Sequence, residues 1–134
     1  LVKWGERVRA VGLPTFGASR HMVAVLIPAL EADPEVRAVM NIRYSPEIIA
    51  ACEQAGLTVA SFDRQEKPED YAARPQNRYR EWGTAAVIEE KGFVPDVIYD
   101  RGGWCREAQV RVFGKGPRQV AEKVLAIFRK LEES

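Results

Sequence analysis

The sequence has few of the residues that build metal centres and disulfide frameworks. Its 134 residues include one histidine and two cysteines, Cys52 and Cys105, which are far apart and form no Cys-x-x-Cys pair. A single histidine excludes catalytic sites that need two histidines and the common histidine-rich zinc sites. Two unpaired thiols are typical of a reduced cytoplasmic protein, so we expect no disulfide and a buried thiol at Cys105.

The chain also lacks an excess of one charge and a long apolar run. Twenty basic and 19 acidic residues give a formal net charge of +1, so no basic face indicates binding to nucleic acid or to an anionic membrane. No apolar segment approaches the roughly 20 residues of a membrane-spanning helix, and the first residues do not resemble a signal peptide. We therefore expect a cytoplasmic protein that contacts neither a membrane nor, directly, nucleic acid.

The length is sufficient for one domain over residues 1–134 that folds without disulfides or structural metal. The chain begins with Leu1 rather than methionine and reaches strand-like sequence a few residues later. We interpret it as a domain taken from a longer polypeptide.

Strand-like and helix-like patterns alternate along the chain. The patterns predict strands at 7–13, 36–42, 57–62, 96–99 and 109–113, and helices at 20–30, 45–54, 81–91 and from 116 onward. Segment 7–13 alternates at period two and predicts a half-buried strand, whereas segment 20–30 is apolar almost all round and predicts a buried helix. Segment 65–80 is polar and contains two prolines, which indicates a loop that could act as a lid. The alternation predicts an α/β domain with helices on both faces of one sheet.

Two polar loops, Gly17-Ala18-Ser19-Arg20-His21 and Asn41-Ile42-Arg43-Tyr44-Ser45, each begin a predicted helix. A helix N-terminus presents free backbone N–H groups and the positive end of the helix dipole, which favour an anion. We interpret the loops as two parts of one phosphate or pyrophosphate site. Its predicted binding residues are Gly17, Ala18, Ser19, Asn41, Arg43 and Ser45.

Among the side chains in these loops, His21 and Arg43 are the strongest candidates for a catalytic or ligand-binding role. A lone histidine is more often a helix-end cap or a core residue, but its place after Gly-Ala-Ser favours contact with phosphate or a general-acid role. Arg43 could be a surface arginine in a weak ion pair. Its place beside the predicted helix start at Ser45 favours a phosphate contact instead, since its planar fork matches phosphate oxygens.

Two further polar segments, Asp63-Arg64 and Asp100-Arg101-Gly102-Gly103, follow predicted strands. In open α/β sheets ligands bind beyond the strand ends, and a double glycine allows close backbone approach. The alternatives are a solvated acid–base pair at Asp63 and an ordinary tight turn after Asp100. Trp104, beside the glycines, could line a pocket and stack on a flat ring.

Four segments together, Phe16–His21, Met40–Ser45, Phe62–Arg64 and Pro95–Gly103, resemble the ThiN-type thiamine-phosphate synthase domain of archaea and some bacteria. The resemblance extends over essentially the whole chain. It implies a three-layer α/β/α fold with a mixed sheet, similar to the class II aldolases. It also implies an enzyme that joins hydroxymethylpyrimidine diphosphate to hydroxyethylthiazole phosphate, giving thiamine phosphate and pyrophosphate.

This resemblance suggests roles for the candidate residues. His21, Arg43 and Asp100 would be catalytic, and the turn Arg101-Gly102-Gly103 would bind the thiazole phosphate. Asp63 or Asp100 would accept a hydrogen bond from the pyrimidine amino group or hold Mg²⁺ against the diphosphate.

Family members usually follow a hydroxymethylpyrimidine phosphate kinase or a helix-turn-helix domain, and in the second case the domain senses thiamine phosphates without catalysis. The sequence leaves enzyme and sensor open, together with the metal requirement and homo-oligomer formation. An aldolase-like metal enzyme is disfavoured, because that chemistry typically uses several histidine ligands.

Overall fold

Strands and helices alternate after an N-terminal hairpin in the computed structural model, which describes residues 1–134. The strands are β1 Val2–Trp4, β2 Arg7–Arg9, β3 Ala38–Arg43, β4 Val59–Ser61, β5 Val97–Asp100 and β6 Gln109–Gly114. The helices are α1 Arg20–Ala32, α2 Pro46–Gln54, α3 Trp82–Lys91 and α4 Pro117–Glu133. Segment 65–80 is a loop with short 3-10 turns, as predicted.

The central sheet has the strand order β3-β6-β5-β4. Strands β4 and β5 are parallel, whereas β6 is antiparallel to both of its neighbours, so the sheet is mixed. In this register Gln109 lies opposite both Arg43 and Asp100. The carboxyl ends of β3, β4 and β5 therefore meet the amino end of β6 at one end of the sheet. We call this the polar end and define it by Arg43, Ser61, Asp100 and Gln109.

Helices cover both faces of the sheet, which confirms the predicted three-layer α/β/α fold. Helices α1 and α3 pack on one face, over a core formed by Val25, Ala29, Ala60, Val87, Ile88, Ile98 and Phe113. Helices α2 and α4 pack on the other, over Ile48, Ala51, Cys52, Val97, Val110, Val112, Val120 and Ile127. None of the helices is both long and apolar enough to cross a membrane.

The prediction that segment 7–13 forms a strand of the main sheet is wrong. Only Arg7–Arg9 is a strand, and it pairs with Val2–Trp4 in a separate two-stranded hairpin. All of residues 1–21 are exposed. The period-two pattern indicated an extended backbone correctly, but it carries no information on which surface covers the apolar side chains.

Two burial predictions are also wrong. Helix α1 buries only Val25, Pro28 and Ala29, while Val23 and Leu30 on its outer side are exposed. This helix lies at the surface, with charged as well as apolar residues on its outer side, and is not enclosed by the domain. Cys105 is exposed, and only Cys52 is a buried thiol; both are free.

Candidate functional site

Side-chain alternation along the strands gathers polar residues on one face of the polar end. Successive side chains of a strand point to opposite faces, and Val39 packs in the core beneath α1 and α3. Asn41 and Arg43 therefore share that face. The same reasoning, from Ile98 and Phe113, places there Asp100 of β5 and Gln109 and Arg111 of β6.

Asp100 is the buried centre of this arrangement. Its side chain has no exposed surface, and both of its oxygens are occupied by hydrogen bonds. Oδ1 accepts from Arg64 Nε at 2.7 Å and the Gly102 amide at 2.8 Å; Oδ2 accepts from Arg64 Nη2 at 3.1 Å and Arg111 Nη1 at 2.7 Å. Burial opposes ionisation, but these donors outweigh it and hold the pKa of Asp100 below its usual value.

Arg111 links Asp100 to the start of helix α3. Its fully buried guanidinium also donates through Nη2 to Glu81 Oε2 at 2.9 Å, and it lies 5.0 Å from the centre of the Phe62 ring. Glu81 in turn accepts from Thr84 Oγ1 at 2.7 Å, and its backbone amide donates to the Ala24 carbonyl at 2.8 Å. The two arginines and two carboxylates balance in charge, so this cluster is a neutral, hydrogen-bonded platform.

His21, in the first turn of α1, stands at the edge of the platform. Its Nε2 lies 2.9 Å from Gln109 Oε1 and 3.9 Å from Glu81 Oε2. The side chain remains 47% exposed. A histidine held on one nitrogen and open to solvent can present its other nitrogen to a ligand.

A cavity of about 510 Å³ opens beside His21. Phe62 and Trp82 form an edge-to-face aromatic wall, with their ring centres 6.1 Å apart. The cations that line the cavity are Arg64, Lys67, Arg80 and Arg106, and the carboxylates are Glu81 and Glu107. Lys67 and Arg80 come from the two ends of the predicted lid, and Arg80 also pairs with Glu31.

Two further cavities adjoin this one along the polar end. One shares Phe62 and Arg64 with it and adds Asp63 and Arg101. The other shares Glu107 and Gln109 and adds Arg43. We call the three together the cationic groove, after the cations that line it: Arg43, Arg64, Lys67, Arg80, Arg101 and Arg106.

The structure brings many of the predicted site residues to this groove. The members that line it are His21, Asn41, Arg43, Asp63, Arg101 and Gly102, while Asp100 lies buried beneath it. Arg101 is exposed, and the neighbouring hydroxyls of Tyr44 and Tyr99 raise its pKa. Of the first predicted loop, Gly17–His21, only His21 lines the groove, so the two predicted loops do not form a single phosphate site.

The remaining predicted residues have other contacts. Ser19 and Ser45 cap α1 and α2, since their hydroxyls accept from the amides of Met22 and Ile48 at 3.2 and 3.1 Å. A separate, mostly apolar groove beside β3 is lined by Gly17, Ala18 and Ser19. Gly103 pairs with Arg106 across the turn that follows β5, and Trp104 is 94% exposed.

Gly102 shapes the loop that carries Arg106 and Glu107 into the groove. Its φ of +73° lies in the left-handed region, and a Cβ there would come within 2.5 Å of the Arg106 carbonyl oxygen. Only glycine fits both conditions.

The residues present do not form a metal site of their own. The structure has no group of three or more histidine, cysteine or carboxylate side chains suited to a metal ion. The oxygens of Asp100 are occupied by arginines, and one oxygen of Asp63 accepts from the Gln65 amide at 2.9 Å. An Mg²⁺ ion at this groove would have to be held mainly by the phosphate oxygens of a ligand.

Sequence reasoning gave no role to Glu81, Gln109 or Arg111, and it did not connect Arg64 with Asp100. One feature of the sequence does indicate a structural role for Arg111. It is a charged residue in the otherwise apolar run Val110–Phe113, and a buried charge requires a partner. Which carboxylates supply that partner depends on the strand order.

The sequence is similar to known proteins of one family. The family model of thiamine-phosphate synthase ThiN matches residues 1–126. The bifunctional thiamine biosynthesis protein ThiDN of Methanocaldococcus jannaschii is 41% identical over 117 residues, 87% of this chain and 26% of that protein. Thiamine-phosphate synthase ThiN of Methanothermobacter thermautotrophicus is 36% identical over 117 residues, 87% of this chain and 61% of that protein.

A solved structure agrees with these sequence relatives. The crystal structure of the C-terminal domain of phosphomethylpyrimidine kinase matches with a TM-score of 0.82 and 37% identity, covering 94% of this chain and 70% of that one. The chain spans less than two thirds of the length of either sequence relative. The resemblance found in the sequence is confirmed: the chain belongs to the thiamine-phosphate synthase ThiN family.

Proposed function

We propose that this domain is a thiamine-phosphate synthase. In the proposed reaction the C–O bond between the pyrimidine methylene carbon and the diphosphate breaks, and its electron pair leaves with the diphosphate. The thiazole nitrogen donates its lone pair to the same carbon, which forms the new C–N bond. The products are thiamine phosphate and pyrophosphate.

The observation that carries this proposal is the cationic groove with its aromatic wall. Both substrates are anions with a flat ring, and the groove combines Phe62 and Trp82 with six cations, of which Arg64 and Arg80 are also paired with carboxylates. Negative charge grows on the departing diphosphate, and fixed donors stabilise that charge without reorganising. The family membership supports the same reaction class.

We assign different roles to the residues of the groove. Arg43 and His21 are exposed at its rim and would contact phosphate oxygens. Asp100 would act on the reaction only by holding Arg64 and Arg111, since its own oxygens are occupied. Lys67 and Arg80 would approach the diphosphate when loop 65–80 closes.

Incubation of the domain with both substrates and Mg²⁺ tests the proposal. We expect thiamine phosphate and pyrophosphate in equal amounts by chromatography, with much slower formation by His21→Asn. Tight binding of thiamine phosphate by calorimetry without turnover would instead support a sensor domain. Absence of both binding and turnover would overturn the proposal.

Three predictions about the context of the domain accompany this proposal. The bifunctional relative ThiDN and the match to a C-terminal domain of phosphomethylpyrimidine kinase support fusion to an N-terminal pyrimidine kinase in the natural protein. The free cysteines support a cytoplasmic location. The exposed apolar side chains of residues 1–21, among them Trp4 and Phe16, are compatible with homo-oligomer formation.

A further inference from the structure

Two side-chain oxygens face the same nitrogen of His21. Gln109 Oε1 lies 2.9 Å from Nε2, and Glu81 Oε2 lies 3.9 Å from it. The sequence did not point to either residue as a partner of His21. Gln109 is 88 positions away from His21 in the chain. No side-chain hydrogen bond is made by the second ring nitrogen, Nδ1.

The protonation of a neutral imidazole depends on its partners. One ring nitrogen carries a hydrogen and the other is an acceptor, and the hydrogen favours the nitrogen that faces acceptors. The Glu81 carboxylate can only accept, so it favours a hydrogen on Nε2. It also selects the orientation of the Gln109 amide in which oxygen, rather than NH₂, faces the ring.

The platform fixes both acceptors. Glu81 is held by Arg111 and Thr84 at 2.9 and 2.7 Å. Gln109 begins strand β6 and lies opposite Arg43 and Asp100 in the sheet, so its backbone position is set by two neighbouring strands. The imidazole ring is therefore oriented by rigid elements.

We propose that Gln109 is a positioning residue that holds His21 as the Nε2–H tautomer, so that Nδ1 is the atom His21 presents to the ligand. The catalytic use of Nδ1 rests on the proposed function, whereas the tautomer does not. Neutral His21 then offers a lone pair at Nδ1, and protonated His21 offers an N–H donor to a phosphate oxygen at the same place.

Nitrogen NMR of the ¹⁵N-labelled protein tests the tautomer directly. His21 is the only histidine, so its two ring nitrogens need no assignment against others. At a pH where the ring is neutral, we expect Nε2 to give the signal of a protonated nitrogen and Nδ1 that of a bare one. We expect Gln109→Leu to raise the Nδ1–H share above that of the parent, because Glu81 at 3.9 Å is then the single acceptor near Nε2, and we expect Gln109→Glu to restore the parent pattern.

Gln54→Leu is the matched control, since Gln54 is exposed at the end of α2 in the opposite layer. It should leave the nitrogen signals unchanged. An Nδ1–H tautomer in the parent protein, or an unchanged tautomer in a folded Gln109→Leu variant, would overturn the proposal.

Steady-state kinetics supply the second measurement. We expect Gln109→Leu to lower kcat about tenfold to a hundredfold, since misplacement of a reacting group has effects of that order. KM should change much less, and Gln109→Glu should recover most of the loss. If the parent protein shows no turnover, the synthase proposal fails, and the NMR result still decides the tautomer.

Discussion

At the scale of single residues, Asp100 makes the contacts on which the polar end depends most. We expect Asp100→Asn to lower the free energy of unfolding by about 3–5 kcal/mol, because it leaves Arg64 without its carboxylate and the fully buried Arg111 with Glu81 alone. Urea denaturation monitored by circular dichroism measures this change.

Asp70→Asn is the control for this substitution. Asp70 pairs with Arg74 at 2.8 Å in the exposed loop, with both side chains mostly in solvent. Such a pair contributes at most about 1 kcal/mol. Similar losses in the two variants would contradict a special role for burial at Asp100.

The lowered pKa of Asp100 predicts how stability depends on pH. Its folded pKa lies below the unfolded value of about 3.9, so the unfolded chain binds more protons in acid. The resulting stabilisation is present above that value and is lost as the pH falls through the folded pKa. Urea unfolding at a series of pH values below about 5 should therefore show a shallower decline for Asp100→Asn than for the parent.

Asp96 has a lowered pKa for similar reasons and contributes to the decline in both proteins. The difference between the two curves therefore isolates Asp100. Parallel curves would show that its ionisation is not linked to folding.

Substitution of Arg43 tests whether the polar end binds a ligand. It is exposed and takes part in no ion pair. We expect Arg43→Ala to weaken binding of thiamine phosphate by about 1.5–3 kcal/mol, the usual value of a charge-assisted hydrogen bond, without changing the unfolding curve. Calorimetry provides the affinity, and Arg129→Ala on α4 provides an exposed arginine in the other layer as control. Equal affinities of Arg43→Ala and the parent would rule out this contact.

At the scale of secondary-structure elements, local signals located α2 accurately. Ser45 as cap, Pro46 in the first turn and Gly56 after the end predicted a helix that the structure places at Pro46–Gln54. These signals act within a few residues, so the sequence contains them. The burial of α1 depends on what lies against its outer face, which no local pattern encodes.

Helix α3 approaches the sheet closely at Gly83. A Cβ at this position would overlap the ring of Phe62, which also packs against Trp82 and Arg111. We expect Gly83→Ala to lower the free energy of unfolding by about 1–3 kcal/mol, although alanine is the better helix former. Thermal unfolding measures the effect.

Gly12→Ala serves as the comparison, because nothing lies within 4 Å of a Cβ at that glycine. It should leave the midpoint nearly unchanged. A more stable Gly83→Ala variant would mean that the Phe62 ring moves aside easily.

At the scale of the whole molecule, the buried core excludes the first residues. None of residues 1–21 is buried, and the β1–β2 hairpin is separate from the main sheet. We expect deletion of residues 1–14 to change the free energy of unfolding by less than about 1 kcal/mol. Denaturant unfolding of the shortened and full chains compares them, and a larger loss would show that the hairpin supports the core.

The fold class was predictable from the sequence, whereas the platform beneath the site was not. The alternation of strands and helices is visible along the chain, and a family resemblance added the layer arrangement. The contacts of Asp100 with Arg64 and of His21 with Gln109 join positions 36 and 88 residues apart. Such pairs follow from strand order and register, which local patterns do not determine.

The exposed hairpin has a consequence for the evolutionary history of the domain. Because residues 1–21 contribute no buried side chain, a gene fusion upstream of the core would require no compensating substitution inside it. We expect a domain of this kind to keep its fold beside different neighbouring domains. The relatives named ThiDN and ThiN match 117 residues of this chain within proteins of different length.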